Sequence, residues 1–218
     1  MRKHPMANRV TFLVDGFNLY FSVRHAEAAL QTSHLRWLNV SELLSSFLYL
    51  FGRDAILEGI HFFTAVPDFL YETDPAAILG FREHLQALRE TGVQLHIADF
   101  KRKSLTCPHC REKIDRYEEK ETDVALGVKA MELLHLDACD TLVFVSGDTD
   151  FAPAMRTAKR LFPAVQVCVA FPHARFNAEL QQIADFSFRI RAARYDEHQF
   201  PDPLRLSDGR VLRRPAGW

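Results

Sequence analysis

The feature that most constrains this chain is an alternation. Short apolar runs bounded by turn residues are separated by segments with helical spacing. The runs are Val10 to Val14, a stretch within Ile56 to Val66, Val93 to Ala98, Thr141 to Val145, Val165 to Phe171 and a short one at Phe186 to Ile190. Between them, Asn18 to Leu30 places Leu19, Val23, Ala26 and Leu30 on one helical face. The capping-box pattern Asn39-x-x-Glu42 opens a helix that runs to about Phe51 and closes at Gly52. Asp74-Pro75, an N-cap with proline at the first helical position, opens another that reaches Glu90 and stops at Gly92. Thr122 or Asp123 begins a helix to His135 with Val124, Val128 and Met131 expected inward, and Asp150 to Leu161 and Asn177 to Ala184 complete the set. Strands that alternate with helices need crossover connections, so the expectation is an α/β domain, three-layered around a mainly parallel sheet. Sites on such sheets form beyond the carboxyl ends of the strands, where strand order reverses.

The chain has 218 residues, enough for one sizeable domain over about 1–190, with a proline- and arginine-rich tail over 191–218. Within that tail, Ser207-Asp208-Gly209 is suited to turning a small hairpin. Hydrophobic residues make up 48% of the sequence and 18 residues are Phe, which supports a packed core and argues against disorder. The formal net charge is −1, so no global positive field advertises a nucleic-acid partner, and such binding would need a local basic patch. The N-terminus Met1-Arg2-Lys3-His4-Pro5 is basic, but the apolar run after it stops at Asp15, too short for a signal peptide or a membrane span. Four cysteines in a chain of this length do not read as a secreted disulfide framework. The expectation is therefore a cytoplasmic protein with no membrane partner.

Two of the apolar runs end in acids. The first closes with Val14-Asp15-Gly16-Phe17-Asn18, and the Thr141 run with Ser146-Gly147-Asp148-Thr149-Asp150. A third acid, Asp123, stands where a helix begins. If the two strands are neighbours at the reversal point, Asp15, Asp148 and Asp150 converge there. Like charges within a few ångströms raise one another's pKa, and divalent cations relieve the repulsion. Oxygen-rich ligation without histidine suits Mg²⁺ or Mn²⁺, which can activate water and neutralise a phosphodiester under attack. Gly16 and Gly147 are expected to let the backbone turn sharply beside the metals. Each acid also has a plainer reading. Asp150 can cap the following helix, Asp123 can answer the helix dipole, Asn18 can cap the first helix, and Asp15 and Asp148 can be turn residues. Turn chemistry alone does not call for acids at two separate strand ends.

Three blocks carry a resemblance. Phe12-Leu13-Val14-Asp15-Gly16-Phe17-Asn18, then Glu119-Lys120-Glu121-Thr122-Asp123-Val124-Ala125-Leu126, then Val145-Ser146-Gly147-Asp148-Thr149-Asp150-Phe151-Ala152-Pro153 resemble the hallmark blocks of the NYN (LabA-like) family, in the family's order and over about 10–190. The family is similar to PIN domains and is regarded as a group of metal-dependent ribonucleases. The resemblance implies that Asp15, Asp123, Asp148 and Asp150 are metal ligands or nearby acids, that Asn18 orients water or substrate, and that the strand order is 3-2-1-4-5. It further implies an endoribonuclease acting on RNA. Many family members carry another acid where this chain has Lys129, which puts the metal count in question. Two rivals use the same acids. One is a metal-dependent phosphatase, which lacks support because no Asp-x-Asp-x-Thr motif follows the first strand. The other is an RNA-binding scaffold without turnover.

A polar insertion over about 101–119 contains Cys107-Pro108-His109-Cys110. Cys-x-x-Cys is half of a zinc site, and no second such pair exists. The missing ligands would come from His61, His96 or a second copy in a homodimer; a redox dithiol and a plain loop are the alternatives. Cys139 and Cys168 read as inert buried thiols. Lys101, Arg102, Lys103 and Lys120 make the insertion locally basic just ahead of Asp123, and Arg175 follows the last long strand on the same rim, so these five are candidates for holding substrate phosphates. Phe17 and Tyr20 could stack a base, although aromatic residues beside a first helix usually belong to the core.

Overall fold

A computed structural model describes residues 7–216 and 218, leaving aside the side chain of Ile114; the basic run from Met1 to Pro5 lies outside the described residues. In chain order the elements are β1 (Asn8–Asp15), α1 (Gly16–Leu30), α2 (Val40–Ser45), β2 (Ala55–Ala65), α3 (Pro75–Glu90), β3 (Gln94–Ala98), β4 (Phe100–Thr106) and β5 (Lys113–Glu119). They continue as α4 (Thr122–His135), β6 (Thr141–Val145), α5 (Ala152–Leu161), β7 (Gln166–Phe171), α6 (Ala178–Ile183), β8 (Phe186–Arg189), α7 (Ala192–Glu197), β9 (Leu204–Arg205) and β10 (Val211–Leu212).

Six strands form one sheet in the order β3-β2-β1-β6-β7-β8, every neighbour parallel. That is the order 3-2-1-4-5 with a sixth strand added at the far edge. The chain winds one way from β1 to β3 and the other way from β6 to β8. Right-handed crossovers therefore place the two sets of helices on opposite faces. The pleat of β1 shows the division. Val10, Phe12 and Val14 join Leu19 and Val23 of α1, Leu43 and Leu44 of α2, Leu85 and Leu88 of α3 and Tyr195 of α7 in one core. Leu13 points the other way, among Leu126 and Ala130 of α4, Met155 of α5 and Leu180 of α6. Among the described residues no helix is long and apolar enough to cross a membrane.

Several local expectations are corrected. The first helix begins at Gly16 rather than Asn18, because the Asp15 carboxylate caps it, and Leu30 at its far end is exposed. The Asn39 cap works as read, but its helix breaks after Ser45, where the Ser46 hydroxyl donates to the carbonyl of Leu43; a separate 3₁₀ turn covers Leu48–Phe51. Likewise the helix expected from Asp150 begins as a 3₁₀ turn over Thr149–Phe151. On α4 the inward row is Thr122, Leu126, Ala130 and Leu134, whereas Val124 and Val128 are 70% and 61% exposed. This helix has apolar residues around most of its circumference, so spacing alone does not fix its rotation.

The insertion is not a loop. β4 and β5 pair antiparallel from Phe100↔Glu119 to Thr106↔Lys113, giving a two-stranded ribbon whose residues Lys101 to Thr106 are all exposed. After β8, the chain stays on the body of the domain. Tyr195, Phe200, Leu206 and Trp218 are buried, and the short β9–β10 hairpin turns through Ser207-Asp208-Gly209.

Candidate active site

β1 and β6 are adjacent, with Val14 opposite Val145, so their carboxyl ends open side by side where strand order reverses. Asp15, the last residue of β1, is 6% exposed. One of its oxygens accepts the backbone N–H of Asn18 at 2.9 Å, and the other accepts the Ser146 hydroxyl at 2.9 Å. Ser146 in turn accepts the backbone N–H of Asp148 at 3.0 Å, and an Asp148 oxygen accepts the N–H of Asp150 at 3.0 Å. Asn18 spans the two strand ends from the other side, its side-chain oxygen accepting the N–H of Gly147 at 3.1 Å. The cap and turn readings of Asp15 and Asp148 are thus correct as geometry. Each carboxylate keeps lone pairs beyond those bonds, because an ionised carboxylate has about four acceptor positions. Asn18 is not a cap. Asp150 is exposed within the 3₁₀ turn.

Asp123 comes from the opposite direction, in the first turn of α4. Its side chain is solvent-accessible, yet partial desolvation, followed by the charges of Asp15, Glu119, Asp148 and Asp150, pushes its pKa up to about 6. Burial also raises Asp15, against the lowering effect of its two hydrogen bonds. The acids therefore face one another at electrostatic range. They are not drawn to ligating distance: among the described residues no group of three or more His, Cys, Asp or Glu is gathered tightly enough to hold a metal ion.

Sequence reasoning missed two members of this cluster. Glu119, the last residue of β5, acts on both Asp15 and Asp123 and accepts the N–H of Thr122 at 3.2 Å. Its signal was its place four residues before Asp123 in the second block. Ser146 is fully buried between the two strand-end aspartates and joins them. Lys129 pairs with Glu132 at 2.8 Å and lies near His61 and His96. The two glycines serve close approach rather than a left-handed turn. A Cβ on Gly147 would overlap the carbonyl oxygen of Arg175, and one on Gly16 would come within 2.6 Å of the Phe63 carbonyl oxygen.

Two cavities border the first turns of α1. A polar groove of about 320 Å³ is lined by Asn18, Gly147, Asp148, Thr149, Arg175 and Asn177. The Arg175 guanidinium lies 5.6 Å from the ring centre of Phe21, and its Nε has no hydrogen-bond partner. On the other side an apolar pocket of about 240 Å³ is lined by Phe17, Tyr20, Leu70, Phe81 and Trp218. Phe17 and Tyr20 thus border a cavity rather than filling the core. The insertion's cations are engaged at the surface: Lys101 with Glu121 at 2.8 Å, Lys120 with Glu118 at 2.8 Å, Lys103 with Glu118 at 3.4 Å, and Arg102 with Asp115. Burial raises Cys139 to about 11 and Cys168 to about 12, leaving both as unreactive thiols. His61 and His96 contact each other at 3.1 Å on β2 and β3, and neither is grouped with Cys107 and Cys110.

The chain is similar to an uncharacterised protein of Methanocaldococcus jannaschii, 40% identical over 70 residues; the match spans 32% of this chain and 28% of that protein's length. In fold it is similar to a crystal structure of a protein of unknown function from Vibrio parahaemolyticus. That structure has a TM-score of 0.56 at 17% identity, over 91% of this chain and 99% of the other. The model of the NYN domain matches residues 9–191, a span that holds every aspartate of the cluster and all of the parallel sheet but Asn8 at the start of β1, and this chain belongs to the NYN domain family.

Proposed function

We propose that this protein is a metal-dependent endoribonuclease whose cleavage centre is Asp15, Asp123, Asp148 and Asp150, with Glu119 beside them. The observation that carries the reading is the convergence on Asp123, where partial desolvation and then the charges of four other carboxylates raise its pKa to about 6. A cluster of that kind persists most comfortably around a divalent cation. The donor set is oxygen only, which fits Mg²⁺ or Mn²⁺. Bound metal would supply charge neutralisation and an activated water. The chain's own residues do the rest. Ser146 and the N–H of Asn18 fix the Asp15 carboxylate. The Asn18 side-chain oxygen is occupied by Gly147, which leaves its NH₂ to donate to a substrate oxygen in the groove. Arg175 offers a fork to a flanking phosphate along the same groove. The apolar pocket beside Phe17 and Tyr20 is suited to an unstacked base of a single strand.

A scaffold that binds RNA without cutting it is the second reading, favoured by the spacing of the acids beyond ligating distance. One experiment separates the two. Purified protein is incubated with mixed single-stranded RNA and DNA in Mn²⁺, Mg²⁺ or EDTA, beside the Asp148→Asn variant. Cleavage of RNA that needs metal and falls more than about 100-fold in the variant is expected, since even an outer partner of a metal ligand is worth about 10–100-fold. Asparagine keeps an oxygen for the Asp150 N–H, so the turn should survive. Binding without cleavage in either metal would establish the scaffold, and normal cleavage by the variant would move the site elsewhere.

A further inference from the structure

We propose that Cys107 and Cys110 from two copies of this chain hold one zinc ion between the tips of their β4–β5 ribbons, linking the copies as a dimer. The site stands on the geometry of the tip. Cys107 closes it from both sides: its N–H donates to the carbonyl of Glu112 at 2.8 Å, and its carbonyl accepts the N–H of Arg111 at 2.9 Å. Arg111 takes a left-handed conformation, φ 61°, which bends the chain back into β5. Within this turn the backbone N–H groups of Cys110 and His109 hold the Cys107 thiol below its ordinary pKa. Such N–H contacts suit a thiolate, the form that binds metal. Both cysteines are free thiols, and Cys110 is exposed.

A structural zinc site takes four ligands in a tetrahedron. One chain presents two. The remaining thiols, Cys139 and Cys168, are buried in the core at 1% and 0% exposure. The nearest carboxylate, Glu112, only accepts a long contact from Cys110 at 3.7 Å, and among the described residues no third donor gathers with the pair. The position of the pair explains how the site is completed. Seven residues per strand carry the tip roughly 20 Å from the ribbon's base. Phe100 and Tyr117 anchor the ribbon's base on Phe17 and Phe69, but its exposed outer half has only its own pairing, which is marginal in water. A second identical tip, related by a twofold axis through the metal, supplies the two missing thiolates and braces both ribbons. The assignment is independent of the cleavage reading, since neither cysteine belongs to the aspartate cluster.

The test uses the full chain, purified under reducing conditions without chelator, with zinc measured by elemental analysis and mass by light scattering. One zinc per two chains in a dimer is expected. Chelator should return monomers, and Zn²⁺ alone should restore the dimer. Co²⁺ in its place should give the intense charge-transfer absorption of a four-thiolate site. Cys107→Ser/Cys110→Ser should be monomeric and zinc-free with the circular dichroism of the parallel sheet intact; should that variant fold poorly, the chelator arm on the natural chain decides. The proposal is overturned by one zinc per chain in a monomer, by no uptake from excess Zn²⁺, or by a dimer that survives both chelator and the double substitution.

Discussion

At the level of single residues, Asp15 and Asp148 stand out in the sequence because they follow apolar runs, and the groups they bond do not. Ser146 reads in the sequence as one more small residue before a glycine. Its role depends on the β1–β6 register, which sets its hydroxyl 2.9 Å from Asp15. The same dependence hides the reason for Gly147, which is the carbonyl of Arg175, twenty-eight positions along the chain. The repulsion around Asp123 leads to a pH prediction. Its pKa in the folded protein is about 6 against an ordinary 3.8, so between those values the folded state holds a proton that the unfolded chain releases. This group's contribution to stability therefore falls as pH rises through that window. Asp123→Asn removes the fall. In metal-free buffer the variant should match the natural chain below the ordinary value and exceed it above pH 6, by less than about 1 kcal/mol because the carboxylate is reached by solvent. Urea midpoints across that range in EDTA check it. Saturating Mn²⁺ should reverse the ranking by stabilising only the protein that binds it. Identical pH profiles in the two proteins would remove the repulsion from the account.

Elements were legible where sequence carries a strong period or a cap. β1, β6 and β7 were, and so were the Asn39 and Asp74 caps. The rotation of α4 was not, since Val124 and Val128 compete with Leu126 and Ala130 for the inward face and only the packed sheet decides between them. The ribbon was missed for a different reason. It buries little, so it lacks the apolar alternation that marks a half-buried strand, and its order rests on its own pairing and on Phe100 and Tyr117 packing against Phe17 and Phe69 at its base. That self-pairing also changes what its cations can do. Lys101, Arg102 and Lys103 each meet an acid of β5 or of the turn after it. Exposed pairs of this kind are worth about 0–1 kcal/mol and exchange readily for phosphate. If the ribbon guides RNA, replacing the three with Ala should weaken binding of every sequence and flatten its salt dependence, by at most about 0.7 log unit per lost contact on a single strand. The flattening should fall short of three full contacts, because the freed acids then repel the strand. Fluorescence titration at several salt concentrations measures it. An unchanged slope would take the RNA path off the ribbon.

Across the whole molecule, the residues after Arg191 are the part least readable from sequence. Proline and arginine dominate there, and the few apolar residues show no period, so the stretch resembles an appendage. In the structure those few residues are spent on the main body. Tyr195 is fully buried, its hydroxyl 2.7 Å from that of Ser22 on α1, and it accepts the N–H of His173 at 3.0 Å, which ties the loop before Arg175 to the first helix. Further on, the Trp37 indole donates to the carbonyl of Pro201 at 3.4 Å, Leu206 is buried, and Trp218 packs near His84 and Arg36. Trp218 also walls the apolar pocket beside Phe17 and Tyr20. Truncation after Phe200 therefore tests two roles of one segment. Losing the burial of Leu206 and Trp218 should cost about 3–6 kcal/mol, at about 1.5–3 kcal/mol for each large apolar side chain, and the urea midpoint should fall accordingly. Asp15 and Asp148 are held by Asn18, Ser146 and Asp150 rather than by the tail, so a truncated chain kept cold enough to stay folded should retain metal-dependent cleavage. Its affinity for single-stranded RNA should drop, because one wall of the pocket is gone. A truncated protein with the natural midpoint would show that residues 201–218 are an appendage after all, and a natural midpoint with weakened RNA binding would leave the tail as a substrate contact alone.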